Sequence, residues 1–471
     1  MTTIDAFHLP RLEESDVERW ESRSIGPGLA LRFPLLRPDG LRRLLARMRD
    51  ARTRTLAHLP VERIVRAIDQ AAARLADPAD PLRRAADASL PLVTGLSAPM
   101  ARHVLDRALL DWREPALRAL LADELGGPAV LDEFRPRSGS PVAARYVRAF
   151  GPALAFHVFA GNVPGVAVTS IVRSLLVKAA TLGKTAADEP VLAPLFARTL
   201  AAVSPDLGDV LAVTYWPGGL EHVEAVALRE ADTVVVYGGG AAEEAIRRRV
   251  PAGTPFLAHG PRYSFGLVGR EALSPARAAA LAEEVGRAVA LFDQQGCVSP
   301  HMVYVEQGGE VSPRAFGALV AAALARLEAD LPRGPLRPED AAAIHAARGA
   351  AEFRAIAGGD VELHTSPGTE WTVAFDADPA FTASCLNRFL WVKPLLDLSD
   401  AVELARPFRA FLQTIAIAGA GSRLPDLAAA LGHAGATRIT TFEAMPWPPP
   451  SWHHDGRGPL VELLRWVDLE A

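Results

Sequence analysis

The sequence predicts an α/β fold in which a helical N-terminal region precedes parallel sheet. Before Gly127, apolar residues recur at three- and four-residue steps, as from Ile64 to Leu75, and this spacing places them on one face of a helix. From Tyr146 onward, short apolar runs alternate with amphipathic stretches of helix length. That alternation is typical of right-handed strand-helix-strand units, so we expect the strands to pair in parallel.

The individual elements follow this alternation along the chain. We predict strands from Ala153 to Phe159, Leu211 to Trp216, Thr233 to Gly238, Met302 to Val305, Trp371 to Phe375 and Phe389 to Val392. We predict helices from Ala98 to Leu125, from Val166 to Ala180, from about Leu220, from about Ala241 and from Pro275 to Leu291. A last helix and strand are predicted between about Asp426 and Thr440, and the proline-rich tail is predicted to end in a short amphipathic helix.

Composition excludes several classes of protein. The 471 residues carry a net charge of −5, which offers no general basic surface for a nucleic acid. The two cysteines are far apart in sequence, so neither a disulfide scaffold nor a thiolate zinc site is expected. No apolar run approaches the roughly 18 residues of a membrane span, and the N-terminus lacks the pattern of a signal peptide. We therefore expect a cytoplasmic protein without a membrane span.

Cys297 is the sharpest candidate for chemistry. It follows Gln294-Gln295-Gly296 and precedes a predicted strand, so we expect it on a turn between a helix and a sheet edge. A thiol presented to a cleft in this way becomes a nucleophile when dipoles or cations favour its thiolate. The alternative is a small buried residue without a chemical role, and the two interpretations stay open at this point.

Three further candidates follow predicted strands of the first sheet. Asn162 comes after an apolar strand, where its amide can donate to an oxyanion or, alternatively, cap the next helix. Lys184 lies one crossover helix further on, either as a contact to a cofactor ribose or phosphate or as a solvated lysine. Gly238, Gly239 and Gly240 end a strand and begin a helix, so their amides can hold a phosphate or simply form a turn.

Two remaining motifs have structural interpretations. His453 and His454, followed by Asp455, offer acid-base or metal-ligating groups. No third ligand stands at a regular spacing, so we favour a structural motif of the tail over a metal site. Cys385 lies among apolar residues and is predicted to belong to the core.

The order of Asn162, Lys184, the glycine loop and Cys297 resembles the aldehyde dehydrogenase superfamily, and longer stretches resemble one of its families, the LuxC acyl-CoA reductases. These stretches run from Ala160 to Pro190, Ala231 to Gly239, Phe292 to Glu306 and Ser451 to Glu470. The most specific motifs are QQGC followed by SPH, and WHHDGR. The segment LVTGLSAPM is also similar, so the resemblance covers nearly the whole chain. It implies an aldehyde dehydrogenase-like fold and the reduction of a fatty acyl thioester to an aldehyde.

The resemblance also implies a division into domains. Residues 1–145 are expected to form the helical N-terminal region, packed on a Rossmann-type cofactor-binding domain at 146–265. Residues 266–425 are expected to form the catalytic domain with Cys297. Residues 426–471 are expected to form a return segment and a tail that serves oligomerisation.

Roles for the candidate residues come from the same resemblance. Cys297 is implied to accept the acyl group and Asn162 to donate to the oxyanion. Lys184 and the loop from Gly238 to Gly240 are implied to bind the cofactor, which is NADPH with NADH as the alternative, and no metal is expected. The implied partners are acyl-CoA or an acyl-carrier-protein thioester, an acyl-protein synthetase and further copies of the chain.

One departure from the wider superfamily favours thioester chemistry. Hydrolytic aldehyde dehydrogenases are similar to one another in a glutamate, set in an E-L-G-G segment, that activates water. The corresponding stretch here, from His259 to Gly269, has no acidic residue. An acyl-enzyme without that base is expected to persist long enough to exchange with thiols or to be reduced. Glu283 or Glu284 is an alternative base, although both fall on a predicted helix.

Two other functions stay open beside the reductase. One is a CoA-acylating aldehyde dehydrogenase that runs in the oxidative direction with NAD. The other is an acyl-transfer or acyl-holding subunit with little reductase activity. They differ from the leading hypothesis in whether acyl-CoA consumes NADPH and in whether a covalent acyl adduct accumulates.

Overall fold

The computed structural model describes residues 2–136 and 145–470, and the chain divides into two compact units. The first comprises Met1–Thr94, Ala101–Gly260 and Pro449–Ala471, and the second comprises Gly95–Met100 and Pro261–Pro448. The boundaries expected at 265/266 and 425/426 fall inside a strand and a helix of the second unit, and the tail from residue 449 belongs to the first. None of the helices in the described ranges is long and apolar enough to cross a membrane.

The N-terminal region combines a small sheet with helices. The strands are β1 (Thr2–Asp5), β2 (Val17–Gly26) and β3 (Leu29–Leu36), with β3 parallel to β1 and antiparallel to β2. The helices are α1 (Pro38–Arg54), α2 (Val61–Ala76), α3 (Pro81–Thr94), α4 (Ala98–Asp111), α5 (Glu114–Leu125) and α6 (Ala129–Asp132). Two short strands follow, β4 (Arg135–Pro136) and β5 (Arg145–Phe150), which pair antiparallel.

Two details of this region differ from the sequence analysis. The first strands were not predicted, because β2 is mostly polar and Pro34 interrupts the apolar run of β3. The single helix predicted from Ala98 to Leu125 is two helices, α4 and α5. Pro115 stands in the first turn of α5, where its missing amide hydrogen is tolerated.

The larger sheet of the first unit is parallel throughout, in the order β10-β9-β6-β7-β8. Its strands are β6 (Leu154–Val158), β7 (Ala180–Lys184), β8 (Leu211–Thr214), β9 (Thr233–Tyr237) and β10 (Phe256–His259). The helices between them are α7 (Val166–Leu176), α8 (Leu192–Val203), α9 (Pro205–Gly208), α10 (Glu221–Glu230) and α11 (Gly240–Arg247). Strand β7 was not predicted, since its short apolar run directly continues that of α7.

The second unit is built around a seven-stranded sheet in the order β13-β14-β15-β12-β11-β16-β17, in which only β13 and β14 pair antiparallel. Its strands are β11 (Tyr263–Val268), β12 (Pro300–Glu306), β13 (Val361–Thr365), β14 (Thr372–Asp376), β15 (Phe389–Leu395), β16 (Leu412–Ala418) and β17 (Arg438–Thr440). Its helices are α12 (Pro275–Ala290), α13 (Pro313–Asp330), α14 (Pro338–Ile356), α15 (Asp400–Ala405) and α16 (Leu424–His433). Alternate residues face opposite sides, so Val303 packs with α12 and α13 while Met302 packs with α14 to α16.

The predicted helix at the end of the chain is wrong. Residues Arg465–Glu470 form strand β18, which pairs antiparallel with β5 along its whole length. A short 3₁₀ turn, Val461–Leu463, precedes it. Pairing with a strand more than three hundred residues earlier decides this structure, and the local amphipathic pattern does not.

Candidate active site

The carboxyl ends of the first unit's parallel strands bring the predicted residues to one edge of the sheet. Asn162 follows β6, Lys184 is the last residue of β7, and Gly238 follows β9. These strands run in the same direction, so their carboxyl ends meet at the same edge. Ligand sites of open α/β sheets form at such an edge.

Asn162 lies in the exposed turn between β6 and α7. Helix α7 begins at Val166, and its N-cap is Gly165 with φ of 99°, so the alternative that Asn162 caps this helix is wrong. The turn approaches its neighbours closely at Gly161, where a Cβ atom would lie 3.0 Å from the amide nitrogen of Glu189. A larger residue beside Asn162 would therefore crowd the backbone that follows β7.

Lys184 shares a carboxylate with an arginine. Its Nζ donates to Glu224 Oε1 at 3.0 Å, and both side chains are largely buried, so the alternative of a solvated lysine is wrong. Arg249 donates to the other oxygen of Glu224, while the buried Nη1 of this arginine has no hydrogen-bond partner among the described residues. Two cations and one anion leave a net positive charge at the end of β7.

The glycine loop is open on the side that faces away from the protein. Gly239 is the N-cap of α11, and a Cβ atom at Gly239 or Gly240 would meet no atom within 4 Å. Gly238 donates its amide hydrogen to the carbonyl of His259 at 3.2 Å, which ties the loop to β10. The start of α11 therefore has the space and the amide groups that a phosphate needs.

Cys297 belongs to the second unit and lies half-buried between a 3₁₀ turn, Leu291–Gln294, and strand β12. Ser264 Oγ donates to the carbonyl of Cys297 at 2.8 Å and accepts the amide hydrogen of Thr414 at 3.1 Å. The backbone of Cys297 is thus bonded to β11, and Ser264 in turn links β11 to β16. The residue stands on a turn that enters a strand, the position that its sequence neighbours predict.

The segment before Cys297 has an unusual backbone. Phe292, Asp293 and Gln294 have φ of 57°, 49° and 64°, a region that non-glycine residues rarely adopt. A second run, 386–388, has φ of 65°, 56° and 65°. Such strained backbone persists where the surroundings over-determine it, and it is common at functional sites.

Side chains of the two strained runs bond across to each other. The side-chain amide of Gln294 donates to the carbonyl of Phe389 at 2.9 Å and accepts the amide hydrogen of the same residue at 2.9 Å. Gln295 Nε2 donates to Asn387 Oδ1 at 3.0 Å. Arg388 Nε donates to Asp293 Oδ1 at 2.9 Å. These bonds hold the segment that leads into Cys297 in one conformation.

Arg438 is a residue near Cys297 that sequence reasoning missed. Its Nη1 and Nη2 donate to the carbonyls of Met445 at 2.8 Å and Ala444 at 2.7 Å. Burial lowers the pKa of Arg438 to about 10, and the charge of Cys297 acts in the opposite direction. A buried cation that interacts with a thiol favours the thiolate. No local pattern in the sequence marks this arginine, since only the sheet brings β17 towards Cys297.

Cys385 differs from Cys297 in its surroundings. It packs against the apolar cluster on the α14 side of the second sheet. Burial raises the pKa of its thiol to about 11, so this cysteine remains protonated at neutral pH. Cys385 is half-buried, as Cys297 is, so it lies at the edge of the core and not within it as the sequence predicts.

The tail brings His454 and Asp455 to His259. His259 Nδ1 donates to Asp455 Oδ2 at 2.7 Å, and the rings of His259 and His454 stack with their centroids 4.3 Å apart. His453 points elsewhere, since it is 65% exposed and lies 3.5 Å from Glu124. The tail motif is visible in the sequence, whereas His259 was missed because its partner is 196 residues away.

The alternative general bases on α12 have other contacts. Glu283 pairs with Arg326 on the protein surface. The pKa of Glu284 is raised by burial and by the charge of Glu443. The stretch from His259 to Gly269 has no carboxylate of its own. Through His259 it contacts the carboxylate of Asp455.

Comparisons with known proteins agree with this geometry. The sequence matches the family model described as Acyl-CoA reductase (LuxC) over residues 56–466. It is 28% identical over 387 residues to a long-chain acyl-protein thioester reductase of Aliivibrio fischeri, covering 80% of this chain and 75% of that protein. The fold is similar to an NADP-dependent glyceraldehyde-3-phosphate dehydrogenase from Bacillus halodurans C-125, with a TM-score of 0.77, 15% identity and 99% of each chain covered. It is also similar to an NAD-dependent benzaldehyde dehydrogenase from Corynebacterium glutamicum, with a TM-score of 0.72, 16% identity and 99% of each chain covered. These similarities confirm the predicted fold class.

Proposed function

The chain belongs to the LuxC family of acyl-CoA reductases, and we propose that it reduces a long-chain acyl thioester to the aldehyde with NADPH, through a covalent acyl intermediate on Cys297. Reduction of an acyl group by an oxidoreductase is the activity of the family. The covalent step is supported by the turn at Cys297, which side-chain bonds hold in place, and by the partly buried cation of Arg438, whose charge interacts with that thiol.

The covalent step follows from thiolate chemistry. The Cys297 thiolate attacks the thioester carbonyl, a carbon–sulfur bond to the protein forms, and the bond to the donor sulfur breaks. We assign to the Asn162 amide the donation of a hydrogen bond to the oxyanion that develops on the carbonyl oxygen. Reduction and release then return Cys297 to its thiolate and give the aldehyde.

A nicotinamide cofactor fits the edge of the first sheet, and when bound it supplies the hydride that reduces the acyl group. The open amide groups at Gly239 and Gly240 suit a pyrophosphate. Lys184, at the end of the neighbouring strand β7, suits the adenosine ribose. Two dehydrogenases of known structure with this fold are NADP-dependent and NAD-dependent by name, which supports the class of cofactor.

The charges around Lys184 favour NADPH over NADH. A carboxylate next to the ribose usually excludes a 2′-phosphate, but Glu224 is already bonded by both Lys184 and Arg249. The buried Nη1 of Arg249 has a donor to spare among the described residues. Arginine and lysine donors of this kind are typical of phosphate sites. The net positive charge therefore suits the additional phosphate of NADPH.

The proposal also covers the acyl donor, the cellular location and the oligomeric state, which the family resemblance implies. The acyl group is proposed to arrive on CoA, on an acyl-carrier protein or through an acyl-protein synthetase. The long-chain acyl-protein substrate in the name of the Aliivibrio fischeri relative supports a protein-bound donor as one of these. A cytoplasmic location and a homo-oligomer are proposed as well. A panel of acyl donors and a measurement of the mass in solution test these points.

The experiment combines cofactor absorbance with intact mass. Purified protein is mixed with dodecanoyl-CoA, first alone and then with NADPH. We expect one acyl adduct per chain without cofactor, and loss of NADPH absorbance when it is added. Cys297→Ala should abolish both signals, whereas Cys385→Ala should leave both unchanged. Adduct without turnover would favour the acyl-holding alternative, and reduction by Cys297→Ala at the parent rate would contradict the mechanism.

A further inference from the structure

We propose that His259 and Asp455 form the proton-transfer pair of this reaction, in which His259 protonates the donor thiolate as it leaves and Asp455 positions the imidazole. The inference rests on the proposed acyl transfer. It assigns a chemical role to a motif of the tail that the sequence analysis interpreted as structural.

His259 stands at the edge of the sheet where the candidate residues gather. It is the last residue of β10 and is in register with Tyr237, the last residue of β9. The next residue after Tyr237, Gly238, bonds to the carbonyl of His259. Asn162, whose amide we assign to bind the thioester carbonyl oxygen, follows the carboxyl end of β6 on the same edge. An acid at His259 therefore belongs to the edge at which the thioester is proposed to bind.

The contact with Asp455 fixes the tautomer of His259. The distance of 2.7 Å from Nδ1 to Oδ2 is that of a charge-assisted hydrogen bond, and the Asp455 side chain is only 3% exposed. An ionised carboxylate accepts hydrogen bonds and cannot donate them, so Nδ1 carries the hydrogen. Nε2 is then the nitrogen that gains and loses the proton.

Aromatic rings pack against the imidazole of His259. Tyr237 stacks on His259 with the ring centroids 4.6 Å apart, and His454 stacks on it with the centroids 4.3 Å apart, while the centroids of Tyr237 and His454 lie 6.1 Å from each other. Trp452 continues the stack beyond His454 at 4.6 Å. The ring of His259 therefore has little freedom to turn, as a positioned acid requires.

The same geometry argues against a metal site. His259, His454 and Asp455 each offer one ligand atom, and these atoms lie within 4.8 Å of one another. The two imidazole planes are inclined by only 15°, so their nitrogen lone pairs run side by side and do not converge on one point. A bound metal also requires the Asp455 oxygen and His259 Nδ1 to face the ion, whereas here they share a proton.

Other charged and titratable groups surround the pair. Besides Asp455 and His454, they come from four elements and from the tail, namely His157, Arg173, Tyr237, Glu243, Arg457 and Glu462. The set contains two arginines and two glutamates, so its formal charges offset one another, and Glu243 is paired with Arg247. Burial lowers the pKa of His157 to about 3, and this ring stays neutral in the working range. Asp455 is the carboxylate in direct contact with His259.

Each bond and proton of the step is accounted for. The carbon–sulfur bond to Cys297 forms, the carbon–sulfur bond to the donor breaks, and the departing sulfur keeps the electron pair. The His259 imidazolium gives its Nε2 proton to that sulfur, which leaves as a neutral thiol. Water then returns a proton to His259, and the adjoining cavity of about 30 Å³ has room for one water molecule.

The experiment compares two donors that differ in their need for an acid. Dodecanoyl-CoA releases an alkyl thiol that gains from protonation, whereas the dodecanoyl ester of 4-nitrothiophenol releases a stable thiolate. Release of each thiol is measured before any cofactor is added, so cofactor binding does not enter. For His259→Gln we expect release from dodecanoyl-CoA to slow about 100-fold and release from the nitrothiophenyl ester to change less than about threefold. His453→Gln, at the exposed neighbour of the stack, should match the parent with both donors.

Asp455→Asn is a second test of the pair, for the case in which His259→Gln folds poorly. Asp455 has φ of 57°, which asparagine adopts readily, so the backbone should tolerate this change. We expect the same selective slowing with dodecanoyl-CoA, by about tenfold. Equal slowing with both donors, no slowing with either, or loss of release on adding a metal chelator would overturn the proposal. Failure of the proposed function would look different, since Cys297→Ala would then still release thiol at the parent rate.

Discussion

Arg388 Nε donates to Asp293 Oδ1 at 2.9 Å, and this bond joins the strained segment before Cys297 to a second strained segment 95 residues later. The arginine side chain is fully buried and that of Asp293 is 8% exposed. Arg388 also donates to Glu328 Oε2 at 2.8 Å and to the carbonyl of Leu331 at 2.9 Å. The turn that presents the candidate nucleophile is therefore held by a buried ionic group, and not by local backbone preference.

Removal of Arg388 should destabilise the second unit. Arg388→Met leaves the carboxylate of Asp293 buried without its charged partner, and breaking such a pair costs about 3–5 kcal/mol. We expect a loss of that size in the free energy of unfolding, measured by denaturant titration. Arg406→Gln, which breaks an exposed pair with Glu403, is the control and should cost less than about 1 kcal/mol. Equal effects of the two changes would contradict the bracing role.

Loss of the Arg438 cation should make Cys297 less reactive. Arg438→Gln keeps hydrogen-bond donors for the carbonyls of Ala444 and Met445 but removes the charge. We expect alkylation of Cys297 by iodoacetamide at pH 7 to slow about tenfold, which corresponds to roughly 1.4 kcal/mol of thiolate stabilisation. Peptide mass spectrometry after timed quenching gives the rate. Arg326→Gln, at a surface pair far along α13, should leave it unchanged.

The two cysteines should differ in how their rate of alkylation depends on pH. The pKa of Cys385 is raised to about 11 by burial, so its thiol is protonated below that value and reacts slowly. We expect iodoacetamide at pH 8 to label Cys297 and leave Cys385 at less than a tenth of that rate. Labelling of Cys385 should rise only as the pH approaches 11. Fast labelling of Cys385 at pH 8 in the folded protein would show that its burial is not maintained.

The sequence patterns predict the parts of the site that depend on local order. A turn at Cys297 follows from the glycine before it and the apolar strand after it. Gathering of Asn162 and Lys184 at one sheet edge follows from the alternation of strands and helices. The remaining contacts join residues far apart in the chain, such as His259 with Asp455, 196 positions later. Periodicity carries no information about such pairs, and the same reason explains why strand β18 was mistaken for a helix.

Glu189 should make stability depend on pH. Burial raises its pKa from 4.5 to about 7, while the amide hydrogens of Val191 and Leu192 that it accepts act in the opposite direction. The folded state thus holds this proton more tightly than the unfolded state. The resulting stabilisation is fully present below pH 4.5 and is lost as the pH rises through 7.

Glu189→Gln removes that dependence because the amide does not ionise. We expect the variant to gain up to about 3 kcal/mol of unfolding free energy over the parent at pH 8, and to match it near pH 5. Denaturant titrations at both values measure the difference. Glu339→Gln, at an exposed position near the start of α14, should show no such change between the two pH values. A gain of the same size at pH 5 would contradict titration of Glu189 as the cause.

Arg249 should contribute to the affinity for NADPH and not to the affinity for NADH. Its spare donor and its bond to Glu224 suit a 2′-phosphate, so Arg249→Leu should raise the dissociation constant of NADPH about tenfold and change that of NADH less than about twofold. Quenching of protein fluorescence on titration with each cofactor measures binding without turnover. Arg247→Leu, two residues away and paired with Glu243, is the matched control and should leave the preference unchanged.

Glu224→Gln tests the other half of that cluster. The carboxylate opposes a 2′-phosphate and at the same time holds Lys184 and Arg249 in place. Removal of its charge should tighten NADPH binding about threefold, provided that the amide oxygen still accepts from Lys184. Equal weakening of both cofactors by Arg249→Leu, together with no effect of Glu224→Gln, would mean that the cluster only stabilises the fold. The source of NADPH preference would then lie elsewhere along the sheet edge.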